Sequence, residues 1–304
     1  MDQLKHILVG VDFSPCCAAA LRQAVRIAGL CRADVSALHV VDVPVYALPE
    51  GPFLTIETPP IDLLLTASRE RWAEWSRANE IDPGVRFDTA LGFPRLDLIE
   101  RVRRDAVDLL VIGANSDSGG LGRVGSTASA CVQRAPSKVL VVREGQATAF
   151  RRVAACIDFS ATSRIALEQA IRIATLDGAE LRVLHIFADP WRGLGPLSSI
   201  SAHMPDFPAK YRAAVEVHMR KFCDSQSHEL GALKAEFHPE RYDQGGHGKG
   251  IVEFVTRERC DLVVLGTKSK WSLHDFVWGS TAERVVCQAP CGVLTVKPAS
   301  FNGC

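Results

Sequence analysis

Several familiar signals are missing from this chain of 304 residues, and each absence removes a class of function. No charge of one sign dominates, because 35 Asp and Glu balance 35 Lys and Arg. The basic excess that marks a nucleic-acid-binding surface is therefore lacking. The densest basic cluster, Arg101-Val102-Arg103-Arg104, falls on an expected helix and reads as a solvated helix face. No window approaches the roughly 18 apolar residues that a membrane-spanning helix needs. The start, Met1 to His6, runs directly into a short apolar segment with no cleavage site of small residues. Among ten cysteines no Cys-x-x-Cys occurs. The close pairs Cys16-Cys17 and Cys287-x-x-x-Cys291 have no further His or Cys at zinc spacing. These absences lead us to expect a cytoplasmic protein with reduced, buried thiols, no metal site, and neither nucleic acid nor membrane as partner.

What the chain does contain is a repeat. Residues 6–14 end in Val11-Asp12-Phe13-Ser14, and residues 152–160 end in Ile157-Asp158-Phe159-Ser160. Leu38-His39-Val40 returns as Leu184-His185-Ile186, and Asp108 to Gly113 returns as Asp261 to Gly266. Gly125-Ser126-Thr127-Ala128 returns as Gly279-Ser280-Thr281-Ala282, and Ala135-Pro136 as Ala289-Pro290. Matched blocks in one order imply a duplicated domain, each copy of ordinary domain size. We place the copies at residues 1–145 and 150–300, joined by a short linker.

Within each copy, short apolar runs alternate with amphipathic stretches. Ile7–Val11 reads as a strand buried on both faces. Ser14-Pro15 reads as a helix cap followed by Pro at the first helical position. The remaining strands of the first copy are expected at Val35–Val41, Phe87–Ala90, Leu109–Ile112 and Lys138–Val142. The second copy repeats them at Val153–Ile157, Leu181–Ile186, Glu236–Phe237, Leu262–Leu265 and Val293–Val296. The order β-α-β-α-β-α-β-α-β predicts an α/β fold, with a five-stranded parallel sheet flanked by helices in each copy. Two irregular loops stand apart. Residues 43–60 are rich in proline, and residues 188–208 carry Trp191 and His203 among glycines and prolines. Both follow the second strand of their copy, at the sheet edge where such folds bind ligands, and both are candidate lids.

The chemistry concentrates in a strand–Gly–loop–Gly-Ser–helix segment. In the second copy Gly266 ends the strand, and Gly279-Ser280-Thr281 opens a helix. Free N–H groups and the positive end of the helix dipole at that point suit an anion, and the hydroxyls of Ser280 and Thr281 add donors. Asp158, at the carboxyl end of the neighbouring strand, is placed to reach a ribose or an adenine edge.

These motifs resemble the universal stress protein family, in a tandem arrangement covering nearly the whole chain. The resemblance implies Rossmann-like domains that bind adenine nucleotide, as in the adenine nucleotide alpha hydrolase-like fold. The implied ligand residues are Asp158, Ile186, Gly266, Ser269, Gly279, Ser280 and Thr281 in the second copy. In the first they are Asp12, Val40, Gly113, Gly125, Ser126 and Thr127. The ligand is expected to be ATP or another adenine nucleotide, with Mg2+ on its phosphates; no residue is assigned to the ion. Two departures separate the chain from the family pattern Gly-x-x-Gly, nine residues, Gly-Ser or Gly-Thr. Serine replaces the second glycine in both copies, as Ser116 and Ser269, and the first copy has eight residues before Gly125. That shorter loop carries Asp117 and Arg123, whereas the second carries Lys268, Lys270, Trp271 and Trp278. The second copy is therefore the favoured nucleotide site.

Other patterns are weaker. Gly245-Gly246-His247-Gly248-Lys249-Gly250 lacks the leading Gly and the closing Ser or Thr of a P-loop. It reads either as a glycine-rich turn ahead of a helix starting near Ile251 or, more sharply, as a turn placing His247 and Lys249 over a phosphate. His39 and His185 sit at equivalent strand ends and are read as satisfied histidines, since neither has a nucleophile beside it. Trp72 and Trp75 are expected to be core residues. No residue is placed as a general base or triad member, so any ATP hydrolysis is expected to be slow. The resulting expectation is a stress-response protein that binds ATP, senses or regulates, and acts on unknown protein partners. The resemblance further implies an internal pseudo-dimer paired through the last strand of each copy, and symmetric use of such edges allows a homodimer as well. The rivals are a nucleotide-free scaffold of the same fold and an adenylyl- or phosphoryl-transferring enzyme. The latter lacks its Ser-Gly-Gly-x-Asp-Ser signature after the first strand.

Overall fold

A computed structural model describes residues 4–42, 60–115, 124–190, 206–242, 244–267, 279–298 and 301. The chain forms two compact units, one built mainly from each copy. In the first, the elements run β1 (His6–Val11), α1 (Pro15–Cys31), β2 (Asp34–Asp42), α2 (Ile61–Ala78), β3 (Arg86–Gly92), α3 (Pro94–Arg104), β4 (Leu109–Gly113), α4 (Ser126–Arg134) and β5 (Lys138–Val142). Every pairing between these strands is parallel, in the order β3-β2-β1-β4-β5. The order reverses between β1 and β4. That switch point opens a crevice beyond their carboxyl ends, where ligands bind in open α/β sheets.

The second unit repeats the plan. Its elements are β6 (Arg152–Cys156), α5 (Ala161–Asp177), β7 (Glu180–Phe187), α6 (Phe207–Phe222), α7 (Ser227–Ala232), β8 (Glu236–Arg241), α8 (Gly246–Arg257), β9 (Leu262–Gly266), α9 (Ser280–Gln288) and β10 (Gly292–Val296). Its strands are also parallel, in the order β8-β7-β6-β9-β10. The apolar runs read from the sequence are its core: Val153, Ala154, Ala155, Leu262, Val263, Val264 and Val293 have no exposed surface. Each fully buried Val or Leu contributes about 1.5–3 kcal/mol, so these central strands anchor the unit.

The helix starts follow from local chemistry. Ser14 Oγ accepts the Cys17 N–H at 3.1 Å, and Pro15 occupies the first helical position of α1. Ser160 Oγ accepts the Ser163 N–H at 3.0 Å at the start of α5. Trp72 stacks on Phe87 at 4.4 Å and Trp75 meets Phe13 edge-on at 5.7 Å, but both stay half-buried, so the expected core placement holds only in part. Two boundaries differ by more than two residues from the sequence reading. β8 extends to Arg241, and α8 begins at Gly246 rather than near Ile251. Helix propensity argues against a start among glycines, but packing overrides it. A Cβ on Gly248 would lie 3.1 Å from the Thr281 carbonyl oxygen, and one on Gly250 would lie 3.0 Å from Ile186 Cγ2. The glycines let the first turn of α8 press against α9 and β7. Gly245, at φ 85°, supplies the left-handed turn that starts it. The two candidate lids lie almost wholly outside the described residues.

Candidate functional site

In both copies the first strand ends in the same turn. Asp12 Oδ1 accepts the Ser14 N–H at 3.0 Å, and Asp158 Oδ1 accepts the Ser160 N–H at 3.1 Å. The residue between acid and cap, Phe13 or Phe159, has φ 64°, the left-handed region. Such a conformation costs on the order of 1–3 kcal/mol and persists only where its surroundings enforce it. Here the ring does so. Phe159 packs against His185 at 4.4 Å, His218 at 4.3 Å and Phe222 at 5.6 Å. Phe13 packs against His39 at 4.6 Å, with the Arg71 guanidinium 4.4 Å above its ring. The strained turn holds each carboxylate at the crevice.

His39 and His185 stand as sequence reasoning expected. His185 Nδ1 donates to the Ile157 carbonyl at 2.8 Å, and His39 Nδ1 donates to that of Val11 at 2.7 Å. A carbonyl can only accept, so Nδ1 holds the proton and Nε2 carries the lone pair of the neutral ring. Burial draws the pKa of both rings below its ordinary value, and the carbonyl bond only partly offsets this.

The strand-exit glycines serve packing first. A Cβ on Gly113 would lie 3.0 Å from the backbone carbon of Cys16, and one on Gly266 would lie 2.8 Å from Thr162 Cγ2. The absent side chains let α1 and α5 sit tightly over β4 and β9. At the helix openings the situation is reversed. Among the described residues, a Cβ on Gly279 would find only the Thr267 carbonyl oxygen, at 3.5 Å. The first bond of α9 runs from the Glu283 N–H to the Gly279 carbonyl at 3.1 Å. The N–H groups of Ser280, Thr281 and Ala282 thus precede it and face outward, the arrangement that binds anions.

Asp158, Ile186, Gly266, Gly279, Ser280 and Thr281 converge on one cavity of about 560 Å³. Asp12, Val40, Gly113, Gly125, Ser126 and Thr127 converge on a second, of about 180 Å³. Ser116 and Ser269, with the loop residues Asp117, Arg123, Lys268, Lys270, Trp271 and Trp278, lie outside the described residues.

The family model for universal stress proteins matches residues 3–143 and again 149–297. The chain belongs to the universal stress protein family. A universal stress protein of Mycolicibacterium smegmatis is 26% identical over 306 residues, spanning 96% of this chain and 97% of that protein. One from Methanocaldococcus jannaschii is 29% identical over 158 residues, covering 52% of this chain and 87% of its own length. In structure, a universal stress protein from Archaeoglobus fulgidus superposes with a TM-score of 0.62 at 18% identity. That likeness spans 97% of this chain and 99% of the other, and it concerns the fold. A tandem universal stress protein thus carries two versions of one crevice in one polypeptide.

Sequence reasoning missed several residues of the larger cavity. Tyr211 and His218 from α6, and Ile251 from α8, line it together with Cys156. A signal existed for α6: Phe207, Tyr211, His218 and Phe222 recur at helical spacing on one face. Cys156 is no nucleophile, because burial raises its thiol pKa far above the ordinary value. His247, left between two readings above, lines the cavity from the first turn of α8, with the Tyr242 ring 4.8 Å away. Lys249 pairs with Glu253 at 3.4 Å instead. Among the described residues no group of three His, Cys, Asp or Glu side chains is arranged to hold a metal ion. No helix among them is long and apolar enough to cross a membrane.

Proposed function

We propose that this universal stress protein binds an adenine nucleotide, ATP in the first instance, in the crevice of its second copy. It acts there as a sensor or regulator rather than as a fast catalyst. The observation that carries the reading is the convergence of the Asp158 carboxylate and the open N-terminus of α9 on one cavity of about 560 Å³. That size lies within the roughly 300–1,000 Å³ typical of small-molecule sites. The phosphates fit at the N–H groups of Ser280, Thr281 and Ala282, where dipole and donors favour negative charge. Asp158 and the backbone of Ile186 serve the ribose and base. Mg2+ would enter with the phosphates and supply charge neutralisation there. Among the described lining residues, the Cys156 thiol is held protonated by burial and offers no nucleophile.

A second reading is favoured for the first copy. Its cavity of about 180 Å³ falls below the usual range, so its Gly-Ser helix start serves as structure. This copy is the scaffold half, available to protein partners. Thermal unfolding with and without 1 mM Mg-ATP tests the reading. A ligand present at about 100 times its Kd adds about 2.7 kcal/mol and raises the melting temperature. An unchanged melting temperature, together with no retention of radiolabelled ATP in equilibrium dialysis, would refute nucleotide binding.

A further inference from the structure

Beyond the position of the nucleotide lies the question of how the cavity senses its charge. The two copies differ throughout the first turn of the helix after the third strand, including one aligned position that lines the cavity in each. There the first copy has Pro94, and the second has His247. Both residues line their cavities. Proline offers no charge and no side-chain hydrogen bond, whereas an imidazole offers both. We propose that His247 is the specificity-determining residue of the second cavity, selecting adenylates that carry phosphate over the uncharged nucleoside by taking up a proton when the anion binds. This rests on the nucleotide reading given above.

The surroundings of His247 support proton uptake on anion binding. From the β6–α5 turn, Asp158 favours the charged ring. From β7, His185 lies close enough for a charge on His247 to oppose its own protonation. Tyr242 packs on its ring from the end of β8, and His218 lines the same cavity from α6. On α8 itself, Lys249 is engaged by Glu253. From α9, packed against α8, come Glu283 and Arg284, the latter donating to the Gly245 carbonyl. Burial keeps the empty-site ring below its ordinary pKa and therefore largely neutral near pH 7. A bound phosphate adds negative charge to a partly desolvated pocket and reverses that balance. Affinity for the anion then rises as pH falls, because binding carries a proton with it. The placement in the first turn of α8 matters too, since the dipole of α8 adds to that of α9 in favouring the same charge.

Isothermal titration of the full chain with ATP and with adenosine, at pH 6.5 and pH 8.0, tests the proposal. The wild type is compared with His247→Gln and His247→Lys, each first checked for a native circular dichroism spectrum. ATP's own protonation is common to all three proteins at a given pH and cancels in the comparison. At pH 6.5, His247→Gln should weaken ATP about threefold, on the way to the tenfold limit that a one-unit pKa shift reaches in stronger acid, and leave adenosine unchanged. At pH 8.0 its deficit should shrink, while His247→Lys, charged throughout, should bind ATP at least as tightly as the wild type. Equal ATP affinity of wild type and His247→Gln at both pH values would overturn the proposal and leave the nucleotide site standing. Failure of the wild type to bind either compound would remove both. Should His247→Gln fail to fold, the lysine variant decides: ATP binding at pH 8.0 weaker than wild type contradicts the role.

Discussion

The two crevices share a frame and differ threefold in volume, about 560 against 180 Å³. The frame is the same down to its strain. Each has an acid accepting the N–H of a capping serine, a phenylalanine at φ 64° and a histidine donating to the strand-end carbonyl. The difference comes from the floor and the lid-side helix. In the first copy Gly10 leaves room on β1, and Leu98 of α3 descends into it. A Cβ on Gly10 would stand 3.2 Å from Leu98 Cδ1. In the second copy Cys156 occupies that strand position, the aligned Ile251 lines an open space, and Tyr211 and His218 extend the wall. Duplication thus preserved the turn that positions the acid, while the side chains lining the two cavities diverged.

The largest effect should come from removing what fills the smaller crevice. Leu98 is 4% exposed, and Leu98→Ala should cost about 3 kcal/mol in urea denaturation, the usual penalty for a large-to-small core change. A loss under about 1 kcal/mol would mean that Leu98 does not fill the floor. Next comes the pair Gly113→Ala and Gly266→Ala, each expected to cost about 2 kcal/mol by overpacking. The first should be the worse of the two, because its Cβ meets the backbone of Cys16 and not only a threonine side chain. The reverse order would break the equivalence drawn between the strand exits. Smaller still, Ser14→Ala and Ser160→Ala should each lose about 1 kcal/mol of helix capping. Equal losses by chemical denaturation would confirm that the two turns are energetically alike.

The pH dependence sharpens the comparison last. Burial lowers the pKa of His39 and His185 in the folded state. As pH falls below about 6.5, the unfolded chain takes up protons that the folded rings refuse. Stability is therefore full above that pH and declines as acid approaches the lowered folded pKa values. His185→Gln should flatten the melting-temperature profile between pH 7 and 5.5, and His39→Gln should do the same. The carboxylates held low by arginine partners, Asp105 by Arg104 and Arg101 and Glu180 by Arg152, lose their contribution only in stronger acid. A profile unchanged by either histidine substitution would contradict the neutral, carbonyl-bound rings.

Most of this frame was legible in the sequence because it depends on local patterns. The apolar runs marked the central strands, Ser14-Pro15 marked a helix start, and the repeated Asp-Phe-Ser and Gly-Ser blocks marked the crevice. What escaped depends on contacts between segments distant in the chain. The early start of α8 at Gly246 contradicts helix propensity and follows from its packing on Thr281 and Ile186. Leu98 meets Gly10 beside the smaller cavity, although the two lie on separate elements that no periodicity connects. The strand-exit glycines were legible as a motif, but their role against α1 and α5 required coordinates. The stripe of Phe207, Tyr211, His218 and Phe222 was visible as an amphipathic face, without a sign that Tyr211 and His218 wall a cavity.

The measurement that bears most directly on two unequal crevices is calorimetric titration of ligand-stripped protein with Mg-ATP, repeated on Gly279→Glu and Gly125→Glu. A carboxylate placed at the opening of α9 should abolish binding by repelling the phosphates, whereas the same change at α4 should leave it intact. The account predicts one site per chain, lost in Gly279→Glu and retained in Gly125→Glu. Two sites per chain, or one lost only in Gly125→Glu, would contradict it.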